Sequence, residues 1–240
     1  MQKETRVSPV LNRSESDLAG QLDGGRTLLT RKVWSRRSGW RMAVKRAIDI
    51  IGSMGLIILF SPLMLVVAIL IKCTDGGPVI LWQDRVGKWG RVFRFPKFRS
   101  MVVGAEALRD KLEELNEHGK GAVTFKIKND PRVTWIGRII RRASIDELPQ
   151  IWNVLIGEMS LVGPRPPLPK EVEKYTLDDR RRLDVKPGLT CLWQVQGRAE
   201  IPFKQQVELD VEYIQNQSVS TDVKLLAKTL PAVIKGKGAS

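Results

Sequence analysis

From Ile50 to Ile71 the chain runs through 22 uncharged, mostly apolar residues, IIGSMGLIILFSPLMLVVAILI, with Ser61-Pro62 at the midpoint. As one straight helix the run would reach about 33 Å, enough to cross a hydrocarbon core of roughly 30 Å. Beyond it the pattern shortens. Pro78 to Trp82 and Arg91 to Phe95 predict strands parted by a turn at Gly87 and Gly90. Helical character follows over 103–117, Thr134 to Arg142, Asp146 to Ile156 and Phe203 to Ile214. The stretches GPRPPLP from Gly163 and KPGL from Lys186 predict loops. Near the C-terminus Leu225, Leu226, Thr229, Leu230, Val233 and Ile234 recur at helical spacing, with Lys224, Lys228 and Lys235 elsewhere on the helix. That pattern suits a helix lying on a membrane surface and equally one facing a core. Residues 1–38 lack periodicity, contain Gly24-Gly25 and several serines, and predict a disordered polar and basic tail. No internal repeat is present.

Charge changes the picture of the apolar run. Seven cations between Arg31 and Arg46, with no acidic residue among them, precede it. Lys72, Arg85, Lys88, Arg91, Arg94, Lys97 and Arg99 follow it, against Asp75 and Asp84. A spanning helix carries its Lys/Arg excess on the cytoplasmic side only. Pro62 removes one backbone hydrogen bond, and the Ser61 hydroxyl can satisfy a carbonyl so freed. A Pro-kinked spanning helix and a re-entrant one that leaves on the side it entered both fit the run alone; the two basic flanks favour re-entry. The run is too long and too far from the N-terminus for a signal peptide. Trp34 and Trp40 suit the membrane interface. The net charge of +14 fits nucleic acid, anionic lipid or a phosphorylated substrate, and its concentration around the run favours lipid headgroups. Cys73 and Cys191 give neither a disulfide framework nor zinc spacing, consistent with a reduced compartment.

His118 is the only histidine, in the polar stretch LNEHGKG, so chemistry here falls to carboxylates, cations or an oxygen-held metal. The segment RRASIDELPQ carries the most of these. Ser144 and Glu147 fit a capping box opening a helix. Alternatively, Asp146 and Glu147 beside Arg141 and Arg142 form an anion site in which one carboxylate attacks phosphorus while its neighbour holds Mg²⁺. Pro149 is awkward for a regular capped helix. Lys97-Phe98-Arg99 and the proline-flanked Arg165 also point to phosphate, since a guanidinium matches phosphate oxygens with two hydrogen bonds.

Taken together, KRAIDIIGS, LFSPLML, KFRSM, KNDPRVTWIGRIIRRASIDELPQIWNVLIGEMSLVGPRP, KPGLTCLWQVQGR and ELDVEYI resemble the bacterial sugar transferases, the monotopic polyprenyl-phosphate phosphoglycosyl transferases, from about Val44 to Ile234. The exopolysaccharide-initiating branch is the nearest fit. The resemblance implies an α-rich α+β fold: a basic interfacial segment and re-entrant membrane helix over 39–73, bent at Ser61-Pro62, then a small cytoplasmic catalytic domain over 74–240 with interfacial helices. It implies location at the bacterial inner membrane, with the catalytic domain on the cytoplasmic face. The implied reaction moves a sugar-1-phosphate, a hexose in this branch, from a UDP-sugar to undecaprenyl phosphate and releases UMP. In it Asp146 is the nucleophile, forming a phosphosugar-aspartyl intermediate, and Glu147 binds Mg²⁺. Lys97, Arg99, Arg141, Arg165, Arg198 and Asp210 are implied substrate-binding residues. Downstream glycosyltransferases would be the partners, and nucleic acid would not.

Two other classes make different predictions. A non-catalytic, membrane-anchored partner in polysaccharide assembly would have no need of Asp146 and Glu147, and both are present. A membrane-tethered nucleic-acid binder would show steep salt dependence. It leaves SIDELPQ and VGPRP unexplained.

Overall fold

The computed structural model describes residues 39–108, 130–197 and 201–235, together with 112, 114, 116 and 127. The N-terminal tail, His118, Arg198 and much of the helix predicted over 103–117 lie outside these.

Helix α1, Gly39–Asp75, contains the whole apolar run and is the one helix among the described residues long and apolar enough to cross a membrane. Helical structure continues through Pro62. Pro62 leaves the Ile58 carbonyl without its usual donor, and the Ser61 hydroxyl donates to that carbonyl at 2.9 Å. One narrow face packs inward: Asp49, Ser53, Val67 and Ile71 are buried, and Leu56, Met64 and Ala68 are partly so. The opposite face exposes Ile51, Met54, Ile58, Leu65, Val66 and Ile69.

Both ends of α1 dock on the same unit, one by polar and one by apolar contacts. At the N-terminal end Lys45 Nζ donates to Asp222 Oδ2 at 2.6 Å and to the Val162 carbonyl at 3.0 Å. Arg46 donates to the carbonyls of Val154 (2.6 Å) and Leu155 (2.7 Å), and Asp49 Oδ1 accepts from Ser160 Oγ and Leu161 N, each at 2.9 Å. Lys45 and Arg46 therefore turn into the protein, contrary to the expectation that the flanking cations face headgroups. At the C-terminal end Val67 and Ile71 pack with Phe98, Ile136 and Ile140, and Asp75 pairs with Arg99.

Strands β1 (Ile80–Val86) and β2 (Val92–Phe98) form an antiparallel hairpin in register from Ile80↔Phe98 to Val86↔Val92. Its turn is a short 3-10 segment, Lys88–Gly90, with Trp89 at φ 58°. The strands run further than predicted, and Pro96 sits inside the ladder because a two-stranded sheet has only edges. Helices α2 (Trp135–Arg142) and α3 (Ile151–Ile156) follow.

Two elements correct the sequence reading. Ser160–Val162 (β3) and Gly188–Thr190 (β4) pair in parallel, so half of the KPGL stretch is strand. The reason is backbone proximity: a Cβ on Gly188 would lie 2.0 Å from the Gly163 nitrogen, and only two glycines allow these chains to meet. The GPRPPLP segment ends by opening a short helix at Pro169 (α4, Pro169–Val172), where a proline at the first position is favourable.

Helices α5 (Leu192–Gln196), α6 (Phe203–Gln215) and α7 (Val219–Lys235) close the domain. On α7, Asp222 and Leu225 are buried, Leu226 packs against the main core, and Thr229 Oγ1 bonds Thr190 Oγ1 at 2.8 Å. Of the two readings of this helix, the described side chains on this face follow the core-facing one. The core itself joins Phe93 and Phe95 of the hairpin to Val154, Leu161, Tyr213 and Leu225.

Candidate active site

The site is built where the hairpin, α2 and the segment after it converge. Thr134, where the sequence reading starts this helix, is the residue that caps α2, its hydroxyl accepting from Gly137 N at 3.0 Å. A Cβ on Gly137 would lie 1.9 Å from the Ser100 carbonyl oxygen, so this glycine lets α2 rest directly on the chain leaving β2. Arg141 stands in the last turn of α2.

The capping box predicted at Ser144 does not form. Ser144 adopts a left-handed conformation, φ 55°, and its side chain caps nothing. The chain then tightens into a 3-10 helix, Ile145–Gln150, which accommodates Pro149, before α3 begins at Ile151. The Glu147 carboxylate, released from capping, faces cations instead. Its Oε1 accepts from Lys97 Nζ at 2.9 Å and from Arg165 Nη2 at 2.6 Å, while among the described residues Oε2 meets only Arg165 Nη1, at 3.4 Å. Asp146 is buried, with Oδ2 3.7 Å from Lys97 Nζ. Ile145, the residue before it, packs against the cluster that holds Val67 and Ile71 of α1. The carboxylates therefore lie close to the apolar helix.

Adjacent in sequence, the two acids are driven apart in protonation. Burial raises the Asp146 carboxyl above the usual aspartate range, Lys97 opposes this, and the Glu147 charge adds to it. Burial acts upward on Glu147 too, but Arg165 and Lys97 together outweigh it and hold this carboxyl well below the ordinary range. Lys97 is itself lowered by burial, against the pull of both acids. Such divergence between neighbouring acids is the arrangement in which two carboxylates take different roles.

The structure thus gathers Lys97, Asp146, Glu147 and Arg165, with Arg141 within electrostatic reach of Asp146. Arg99 and Asp210 stand elsewhere. Arg99 is buried against Asp75 at the end of α1, and Asp210 against Arg182, where burial lifts its carboxyl to about 6 in spite of the arginine. Two residues escaped the sequence reading. Asp49, a lone acid at the border of the apolar run, is a signal worth reading, since an acid there needs buried partners. Arg85, which bonds the Pro166 carbonyl next to Arg165, looked like one more flanking cation.

The chain matches the bacterial sugar transferase family over residues 40–236. It belongs to that family. It is 44% identical over 199 residues to the undecaprenyl-phosphate galactose phosphotransferase of Salmonella typhimurium, covering 82% of this chain and 41% of that protein. It is 43% identical over 198 residues to the UDP-galactose-lipid carrier transferase of Erwinia amylovora, covering 82% and 41%. With the exopolysaccharide production protein ExoY of Rhizobium meliloti it shares 39% over 197 residues, covering 81% of this chain and 87% of ExoY. The chain thus spans about two fifths of the two galactose-transferring relatives and most of ExoY.

Proposed function

We propose that this protein transfers a hexose-1-phosphate from a UDP-sugar to undecaprenyl phosphate, releasing UMP, as the first membrane step of exopolysaccharide or related glycan synthesis. The observation that carries this reading is the Asp146-Glu147 pair, set among Lys97, Arg141 and Arg165 and seated against the apolar helix. The names of the relatives supply the classes of donor and acceptor.

In the proposed reaction an Asp146 carboxylate oxygen attacks the phosphorus that bears the sugar. The bond from that phosphorus to the bridging oxygen breaks, and UMP leaves with the electron pair. The undecaprenyl phosphate oxygen then attacks the same phosphorus, giving the lipid-linked diphosphate sugar and restoring the carboxylate. In this reading Lys97 and Arg165, which hold Glu147, would also meet the donor phosphates, and Arg141 favours the ionised form of Asp146. Among the described residues no group of three or more His, Cys, Asp or Glu side chains could hold a metal. Mg²⁺ commonly uses one or two carboxylates plus substrate phosphates, so the chain fits it through Glu147, whose Oε2 carries only the 3.4 Å contact. Bound there, it would offset diphosphate charge.

Membrane geometry supports the same reading. Both ends of α1 dock on one domain, consistent with re-entry from the cytoplasmic face. On α2, exposed Trp135 and Ile139 alternate with exposed Arg138 and Arg142, a composition suited to a headgroup interface. A lipid headgroup and a soluble nucleotide can then both reach Asp146. The test is UMP release by detergent-solubilised protein with Mg²⁺, undecaprenyl phosphate and a panel of UDP-sugars. Release dependent on one sugar and on the metal is expected; none from folded protein would favour a non-catalytic partner in assembly.

A further inference from the structure

Arg85 is a buried guanidinium with no carboxylate within ion-pair distance among the described residues. Burying a cation without a paired anion is unfavourable, so its position calls for a reason. Its contacts run to the loop that presents Arg165. From β1, Arg85 Nη1 donates to the Pro166 carbonyl at 3.1 Å, and the next residue's backbone, Val86 N, donates to the Pro167 carbonyl at 2.9 Å. Nη2 is steadied by Gln83 Oε1 at 3.1 Å, and the guanidinium lies 5.1 Å from the centre of the Phe95 ring. The Nε atom has no hydrogen-bond partner among the described residues. The charge also acts directly: burial first, then Arg165, lowers the Arg85 guanidinium to about 10, while Glu171 and Glu147 pull the other way.

Counting the surrounding side chains, Arg85, Lys97, Arg141 and Arg165 outnumber Asp146, Glu147 and Glu171 by one. A pocket with buried surplus positive charge is stabilised when a diphosphate enters. We propose that Arg85 is a positioning residue for Arg165: it fixes the Pro164–Pro167 turn from behind and supplies part of the field that draws the nucleotide diphosphate onto Arg165. This rests on the nucleotide-sugar reading above and assigns a role to a residue that does not itself meet the substrate.

The test is a double-mutant cycle on the full chain, with UDP plus Mg²⁺ as the probe and calorimetry as the readout, alongside KM and kcat for UMP release. Arg85→Lys keeps the charge and loses the planar fork. It is expected to weaken UDP binding and raise KM about tenfold while kcat changes less than threefold. In an Arg165→Ala background the same substitution is expected to have no further effect, because the residue it positions is gone. Gln83→Met, which removes only the Nη2 acceptor, should move KM in the same direction by a smaller factor and carries the test should Arg85→Lys not fold. An undiminished effect of either substitution in the Arg165→Ala background would overturn the inference, as would a lowered melting temperature with unchanged UDP affinity. UDP binding that both substitutions leave intact sinks this inference alone; no UDP binding by the folded unsubstituted chain sinks the nucleotide reading with it.

Discussion

Two adjacent carboxylates whose pKa values are pushed in opposite directions should also differ in what their removal does. Asp146 has a raised pKa, so its neutral form is the one the fold favours. The stability it contributes is full below the unfolded aspartate value of about 3.9 and is lost as pH rises through the higher folded value. At neutral pH its ionisation therefore works against the fold. Asp146→Asn should abolish turnover, by a factor on the order of 10³ or more, while the melting temperature holds or rises. Glu147 has the opposite sign, with stability present above the unfolded glutamate value and lost only in strong acid. Glu147→Gln leaves Lys97 and Arg165 without their shared anion and should cost about 3–5 kcal/mol, together with activity. Thermal melts of both variants, with rates against pH, check the pair. The rate should fall on the acid side above the ordinary aspartate range, because the proposed reaction needs Asp146 ionised. Equal destabilisation by the two substitutions would contradict the assignment of roles.

At the level of elements, local rules governed some segments and long-range contact governed others. The helix from Thr134 to Arg142 and the hairpin around Gly87 and Gly90 were legible because each is decided within a few residues. The same local logic failed at Ser144, where a sound capping-box pattern lost to the ion pairs that Glu147 makes with residues 50 and 18 positions away. The β3–β4 pairing was not legible: three-residue strands carry no periodicity, and what joins them is the Gly163–Gly188 approach. Of the candidate site, Asp146, Glu147, Lys97 and Arg165 came together, whereas Arg99, from the same motif as Lys97, and Asp210 proved to be paired elsewhere. The glycine contact can be tested by Gly188→Ala. Its Cβ would fall 2.0 Å from Gly163 N and 2.5 Å from Gly163 O, and backbone atoms on both sides cannot yield as a flexible side chain would. A loss of about 2–4 kcal/mol is expected. Because β3 leads directly into the Arg165 loop, KM for the nucleotide sugar should rise as well. Gly55→Ala, where an added Cβ meets nothing within 4 Å inside a helix, is the control and should leave KM unchanged and stability unchanged or slightly raised.

For the whole molecule, the decisive relation is between α1 and the domain it lies on. If the helix crossed the bilayer, its two ends would stand on opposite sides. One of two docked surfaces would then have to separate: the Asp49 carboxylate from Ser160 and Leu161, or Val67 and Ile71 from Phe98, Ile136 and Ile140. Uncovering Phe98, Ile136 and Ile140 of the domain to water would cost roughly 1.5–3 kcal/mol for each fully exposed side chain, and freeing Asp49 would leave a carboxylate stripped of its donors beside lipid. Drawing the domain into the hydrocarbon along with the helix is worse, since it carries Lys97, Asp146, Glu147 and Arg165. Both flanks should therefore lie on one face of the membrane. Cys73 provides a built-in probe, being exposed at the C-terminal end of α1, whereas Cys191 is buried and protected. With Arg41→Cys as the second probe, a membrane-impermeant maleimide should label both positions in inverted vesicles and neither in right-side-out ones. Labelling of the two cysteines from opposite sides would rule out re-entry and would require the docked ends of α1 to come apart in the membrane. It would leave the carboxylate chemistry standing, because the geometry of Asp146 and Glu147 is set by β2, α2 and the Arg165 loop.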